Sequence, residues 1–259
     1  MTLTSGETPV MTLSFLVAPD FAPERFAGWH MLNTALQKRS GIHLHLLTPA
    51  SAAEQAALLA EGRADVVYAN PFDATHMVRT LGYIPFAKPS QHYDEMVIAC
   101  SAESAAQGVE DLKPGCRIAL TDNKDIKLIG LRLLEPADIG EADAQWVLAD
   151  SYQAVARMLI KQEVDAAFFL ADAFASLSRM TRSQIRPLME SAIRDISHVV
   201  LVHQRAQAAL PAIRTALLAL RSDAAGQSVL DALGMPQGFE ALSQEDAEFM
   251  IDLMDTLLD

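Results

Sequence analysis

Eight residues stand out as able to grip a small molecule, and none as able to transform one. Phe21, Tyr68 and Tyr152 offer flat, rigid walls; Asn70, Thr121, Asn123 and Ser151 offer hydrogen bonds; Lys124 adds a cation. They sit in APDFAP (18–23), YANPF (68–72), LTDNKD (120–125) and ADSY (149–152). TPAS (48–51) and LADAF (170–174) complete the set of loops. Aromatic faces supply contact area at small entropic cost, and a few placed polar groups fix orientation, which is the make-up of a binding pocket. Each of these residues also has a plainer role open to it, as a helix cap or turn former.

Bond-making chemistry is not encoded in the same way. The chain carries no G-x-S-x-G, H-E-x-x-H, G-x-x-x-x-G-K-[ST] or G-x-G-x-x-G pattern. His43 and His45 alternate along one strand, as one face of an edge strand does, and read as that rather than as a metal pair. Asp122/Asp125 and Asp94/Glu95 fall in loops, with nothing to mark them as a buried acid–base couple. The expectation is therefore no catalytic residue, no metal and no cofactor.

The loops gain meaning from the elements on either side. Apolar runs of four to seven residues alternate with helical periodicities, the pattern of an α/β protein with parallel strands. Thr12–Ala18 reads as a strand, and Pro23 opens a helix through Arg39 that turns Phe26, Trp29, Leu32 and Leu36 to one face. A strand over His43–Leu47 follows, then a helix capped by Ser51 with Glu54 completing a capping box, then the strand ADVVYAN. The same grammar returns about 100 residues later. CRIALTD, a helix from about Asp125 to Leu134, WVLAD, a helix over Ser151–Gln162 and DAAFFLA follow in order. GRADVVYANPFDA (62–74) and QEVDAAFFLADAF (162–174) share one plan: a helix end, an aspartate, an apolar strand and a new helix. In such open sheets ligands lie outside the carboxyl ends of the strands, at the helix starts that follow. That rule is what selects the loops named above.

Two apolar segments, DEMVIAC (94–100) and SHVVLVH (197–203), separate the repeats as two crossing hinge strands. They predict a lobe formed from 1–95 plus 201–259 and an inserted lobe over 96–200. Helical patterns at Ala206–Arg221, Gly226–Leu233 and Ser243–Leu258 finish the first lobe.

Composition limits the partners. The 259 residues carry 33 acidic against 20 basic side chains, a formal charge of −13, which argues against nucleic acid and against an anionic membrane surface. Apolar residues make up 51%, ample for a core, yet the longest apolar runs fall far short of the roughly 20 needed to span a bilayer. No direct membrane insertion is expected. The lead MTLTSGETPVMTLSFLVAPD has no basic start and no long apolar stretch. As written it places the chain in the cytoplasm, or in the periplasm where a signal has been removed; Met11 is a second candidate start. Cys100 and Cys116 are too few for a disulfide framework or a metal motif and read as small buried hydrophobes.

Three segments resemble a known family. GRADVVYANPFDATHMVRTLGYIPFAKP, VEDLKPGCRIALTD and DSYQAVARMLIKQEVDAAF are similar, in that order, to segments of the phosphonate-, phosphite- and phosphate-type binding components of ABC transporters. The resemblance covers most of residues 11–205. It implies a two-lobed type II periplasmic-binding-protein (Venus-flytrap) fold with ligand held at the hinge. It also implies that Tyr68, Thr121 and the 150–152 loop face that ligand. Phosphonate binders carry a Ser/Thr-rich run where this chain has Asp122-Asn123-Lys124-Asp125. Two carboxylates beside an anion are unfavourable, so a zwitterion, another oxyanion or a different small metabolite is the expected cargo. An ABC permease or a sensor protein is the expected macromolecular partner. An enzyme on the same fold is the alternative, with His30, His76 and His92 the nearest histidines to a catalytic cluster; a ligand-free interaction module is a third.

Overall fold

The structure, a computed structural model, describes residues 12–258, so the lead segment lies outside the described residues. The chain divides into two compact units, one formed by residues up to His92 together with His198–Ala247, the other by Tyr93–Ser197 and the residues from Glu248 onward. In the first unit β1 (Thr12–Val17), α1 (Phe26–Ser40), β2 (His43–Leu47), α2 (Ala52–Ala60), β3 (Val66–Ala69), α3 (Pro71–Thr80) and β4 (Tyr83–Pro89) follow one another. The second unit holds β5 (Met96–Ser101), β6 (Arg117–Leu120), α4 (Lys124–Leu133), β7 (Gln145–Leu148) and α5 (Tyr152–Ile160). It continues with β8 (Ala166–Leu170), α6 (Ala171–Ser176), α7 (Arg179–Arg182) and β9 (Ile185–Glu190). The chain then re-enters the first unit for β10 (Val199–His203), α8 (Leu210–Leu218), α9 (Ala224–Leu233) and β11 (Phe239–Ala241), and ends in α10 (Gln244–Leu258).

The two sheets are separate and share a plan. The first runs β11-β4-β10-β3-β1-β2 and the second β7-β6-β8-β5-β9. In each, three parallel strands are joined on one side by an antiparallel strand that enters from the other crossing, β10 in the first unit and β5 in the second. Strands buried on both faces read as continuous apolar runs, and VVYA of β3 and AAFF of β8 are such runs. The first core packs Phe15, Trp29, Leu32 and Leu36 against Val200, Ile213 and Leu230. The second packs Val97, Ala119, Val155, Leu159 and Phe169 together.

The repeat holds residue by residue at an offset of 100. Ser51 and Ser151 cap α2 and α5, each accepting an N–H three residues on at 3.2 Å. Gly62 and Gln162 then turn through the left-handed region at φ 66° and 57°. Asp65 and Asp165 close the motif: each accepts the backbone N–H of the adjacent strand, from Ser14 and Arg117, at 2.8 Å. Each also takes an arginine, Arg205 Nε at 2.7 Å on Asp65 and Arg117 Nη2 at 3.0 Å on Asp165. The hydrogen bonds from Arg117 hold the Asp165 carboxyl below its ordinary range against the opposing effect of burial. At the first of these corners the Tyr83 hydroxyl donates to the Ala64 carbonyl at 2.7 Å, and burial pushes its pKa up to about 12.

Three strands escape the apolar pattern. β4, β9 and β11 are short or broken by Pro85, Pro89 and Pro187, and proline demotes a run because it gives the ladder no donor. In both units the interior proline sits at a register shift, Pro85 opposite Leu201 and Pro187 opposite Ala99, so each bulge absorbs the missing donor. The C-terminal boundary also differs from the one drawn from sequence. From Glu248 onward α10 groups with the second unit, where Arg132 Nη2 donates to the Thr256 carbonyl at 2.6 Å. The Ala206–Arg221 pattern is split as well: a 3-10 turn over Gln204–Ala209 precedes α8, and Pro211 lies in the first turn of that helix.

The left-handed turn gives a stability test. Gly62→Ala places a Cβ on a backbone that disfavours it, at a cost of about 1 kcal/mol. Calorimetry should show Tm falling by about 2–4 °C, whereas Gln162→Gly, which relieves the same conformation, should leave Tm unchanged or raise it.

Candidate ligand-binding site

In the first unit the loops at the carboxyl ends of β1 and β3 meet the amino end of β10, because β10 pairs antiparallel with β3 and sets Val199 opposite Ala69. His198, one residue before that strand, thus comes beside Asp20, one of the residues that follow β1. Its Nε2 lies 3.2 Å from Asp20 Oδ1. Asn70 Nδ2 donates to the other oxygen of Asp20 at 3.0 Å, while Asn70 Oδ1 caps α3 by accepting from the Asp73 N–H at 2.8 Å. Asp73 takes Gln55 Nε2 at 2.5 Å. Burial alone would push the Asp20 carboxyl up; the charge of His198 and hydrogen bonds from His198 and Asn70 outweigh it and hold the group below its ordinary 3.8.

An aromatic tier lies against this pair. The Tyr68 ring stacks on His198 at 5.0 Å and 19°, Trp29 leans on Tyr68 at 4.6 Å, and Phe21 on Trp29 at 5.9 Å. Tyr68 is only 4% exposed, so it is as much a core residue as a wall. Among the described residues, Trp29 Nε1 and Gln55 Oε1 are buried with no hydrogen-bond partner, a donor and an acceptor left in the same region.

The second unit presents its own loop set at the carboxyl ends of the adjacent parallel strands β6 and β7. Asn123 caps α4 by accepting from the Ile126 N–H at 3.1 Å, and Ser151 caps α5 by accepting from Ala154. The cap is Asn123 rather than Asp125, which lies inside the first turn and is buried. Lys124 is the first residue of α4 and exposed; Thr121 is half-buried one residue past β6; Asp122 is exposed. Tyr152 opens α5 with its ring stacked 6.0 Å from Phe169. Two capped helix starts with positive dipole ends therefore share one sheet edge with a lysine, an arrangement suited to negative charge.

The structure thus brings Phe21, Tyr68 and Asn70 together in one unit, and Thr121, Asn123, Lys124, Ser151 and Tyr152 at one sheet edge of the other. The sequence pattern missed Asp20, Gln55, Asp73, Trp29 as a wall and above all His198, whose position next to Asp20 follows from β10 pairing. His43 and His45 are exposed on β2, the edge strand of the first sheet. His30 packs edge-on against Phe26 on α1. Cys100 and Cys116 are buried thiols, and burial, then Asp165, pushes Cys116 up in pKa, away from the reactive thiolate. Among the described residues no His, Cys, Asp and Glu group could hold a metal ion, and no helix is long and apolar enough to cross a membrane.

Two units of this shared topology, linked by crossings before β5 and before β10, define the type II periplasmic-binding-protein fold. A family described as "ABC transporter, phosphonate, periplasmic substrate-binding protein" matches residues 15–247, and the chain belongs to it. Its members are substrate-binding components of transporters rather than enzymes. Among solved structures the chain is similar to PhnD1 from Prochlorococcus marinus in complex with methylphosphonate, at 12% identity and TM-score 0.79, over 95% of this chain and 98% of that one. It is similar also to a binding protein component of an ABC phosphonate transporter from Pseudomonas aeruginosa, at 12% identity and TM-score 0.78, over 95% and 87%. A Xanthomonas citri protein bound to ATP shares 17% identity and TM-score 0.76, over 96% and 98%. No functionally curated protein matches the sequence.

The Asp20–His198 pair predicts an acid-dependent contribution to stability. Because the folded carboxyl sits below 3.8, the contribution is present above that pH and is lost as pH falls through the folded value. Asp20→Asn should cost about 1–3 kcal/mol at neutral pH. In denaturant melts the gap to the native sequence should narrow steadily below about pH 4.

Proposed function

We infer that this chain captures a small oxyanion compound of the phosphonate or sulfonate class, anionic or zwitterionic, for uptake through an ABC permease. The observation that carries this is the edge where α4 and α5 begin side by side, each capped and accompanied by Lys124. Each start holds first-turn N–H groups that lack an intrahelical partner, with the positive end of the helix dipole behind them. Asn123 and Ser151 each bond one such group, which fixes the geometry of the turn rather than filling it. Asp122 stands exposed beside them and limits the negative charge that fits, which favours a singly charged or zwitterionic cargo over a polyanion.

The first unit supports the second half of that description. Its loop set carries a carboxylate, Asp20, paired with an imidazole and walled by Tyr68, Trp29 and Phe21. Such a set suits the apolar body and any cationic or hydrogen-donating part of the cargo. A methylphosphonate complex of a structural neighbour and the transporter role of the family point to the same class of compound.

A thermal-shift screen of methylphosphonate, aminophosphonates, alkanesulfonates, carboxylates and amines tests the assignment. A bound cargo at about 100 times its Kd stabilises by about 2.7 kcal/mol, which raises Tm by roughly 5–10 °C in a chain of this size. Lys124→Ala should weaken the same cargo by about 10-fold, the loss of one charge-assisted contact. A shift with amines and none with any anion would reverse the sign assigned to the cargo.

A further inference from the structure

An open sheet ends in two edge strands, and an unguarded edge offers its backbone groups to any strand that meets it. Of the edges β11, β2, β7 and β9, three are closed in different ways. On β2 the side chains of α1 do it: the Leu44 N–H donates to Gln37 Oε1 and the Leu44 carbonyl accepts from Asn33 Nδ2, both at 3.2 Å. β11 is three residues long and carries Glu240, with Lys88 Nζ at 3.6 Å. β9 is bent by its bulge at Pro187. The remaining edge, β7, reads QWVL and holds neither proline nor charge. The N–H groups of Gln145 and of Ala149, just past the strand, donate to the Cys116 and Leu120 carbonyls at 2.8 and 2.9 Å. The alternation of a parallel ladder then turns the N–H and C=O groups of Trp146 and Leu148 outward, away from β6. The Leu148 side chain stands at the same rim, 67% exposed.

We propose that β7 is a docking edge for a second copy of this chain, the two β7 strands pairing antiparallel about a two-fold axis at Val147. That axis sets Trp146 of each copy opposite Leu148 of the other. All four residues turn their backbone groups outward, so each opposed pair exchanges both of its N–H···O bonds. A slip of one residue would set outward groups against groups already bonded to β6, and every new bond would be lost. Trp146 and Leu148 also share a face of the strand. In the proposed register the exposed Leu148 lies directly across from the half-buried Trp146 ring of the second copy, an aliphatic–aromatic cross-strand pair made twice.

Charge decides in favour of a copy of the same chain. With a formal charge of −13 on each, two copies repel at a distance, so the edges that meet must be free of opposed carboxylates. The proposed register meets that condition: Asp150 falls opposite Ala144, and Asp143 opposite Ser151. Like charges directly across a strand pair are thereby avoided. Asp150 of the second copy also becomes the diagonal neighbour of Trp146. Lys127 Nζ rests over that ring at 4.9 Å while bonding Glu141 at 2.5 Å, so the incoming carboxylate approaches a cation. The segment QWVLAD is in this sense its own complement, and the two-fold axis makes each of these matches twice.

Sedimentation velocity on the full chain from about 10 µM to about 1 mM covers the range in which so small an interface dissociates. A concentration-dependent dimer is expected. It should tighten at least about 3-fold between about 0.05 M and about 0.5 M salt, because screening relieves the repulsion between copies. Leu148→Glu, a change at an exposed position, should weaken association at least about 10-fold. Cysteine variants read the register. Val147→Cys sets two thiols across a non-hydrogen-bonded pair, with Cα atoms about 4.5 Å apart, and should form an interchain disulfide on mild oxidation. Gln145→Cys falls opposite Ala149 and should not, and the native Cys100 and Cys116 are buried away from the exchange. A chain that stays monomeric across the whole range would overturn the proposal. So would association that Leu148→Glu leaves unchanged, or no more cross-linking from Val147→Cys than from Gln145→Cys. None of these outcomes depends on which cargo the chain carries.

Discussion

A carboxylate at the foot of the third parallel strand fixes the register on which each unit is built. Asp65 and Asp165 reach across to the backbone of the neighbouring strand and are held there by an arginine. A slip of one residue in a parallel pair would exchange the faces of every side chain along it. With register fixed at the foot, the carboxyl ends of β1, β3, β6 and β7 end at set heights, and the helix starts that follow them are aimed rather than merely nearby. The two corners use different arginines for the same task. Arg205 comes from the turn after β10, 140 positions away from Asp65, whereas Arg117 lies on the strand next to Asp165 and reaches only 48 positions. The first unit is thereby tied to its own distant return segment, while the second is completed locally.

That contrast also explains what the sequence made legible. Strands buried on both faces and helices with capped starts are local, so VVYA, AAFF and the Ser51 and Ser151 caps were readable from spacing alone. The repeat at an offset of 100 was visible for the same reason. β4 and β9 were not, since Pro85 and Pro187 look like strand breakers until the bulges opposite Leu201 and Ala99 show where the missing donors go. The portion of α10 beyond Glu248 was misassigned because an amphipathic pattern shows that a face is buried without showing against what.

Among the loop residues, Asn70, Asn123 and Ser151 each cap a helix, the plain role, and in doing so each fixes the loop before it. Asn70 goes further, bonding Asp20 with the half of its amide that the cap does not use. His198 could not have been singled out from spacing: 178 positions separate it from Asp20, and only the antiparallel entry of β10 beside β3 joins them. A histidine in front of an apolar strand carries no signal by itself.

The bulge at Pro187 has a consequence for the behaviour of the molecule in a crowded solution. β9 is an edge of the second sheet, the place where a foreign strand could pair and start a growing stack of chains. Pro187 is exposed there, and the bulge beside it bends the rim out of a flat ladder. In the first sheet the corresponding strand, β4, is not at the rim, because β11 covers it. The same residue type thus serves as a tolerated irregularity inside one sheet and as a guard against aggregation on the border of the other.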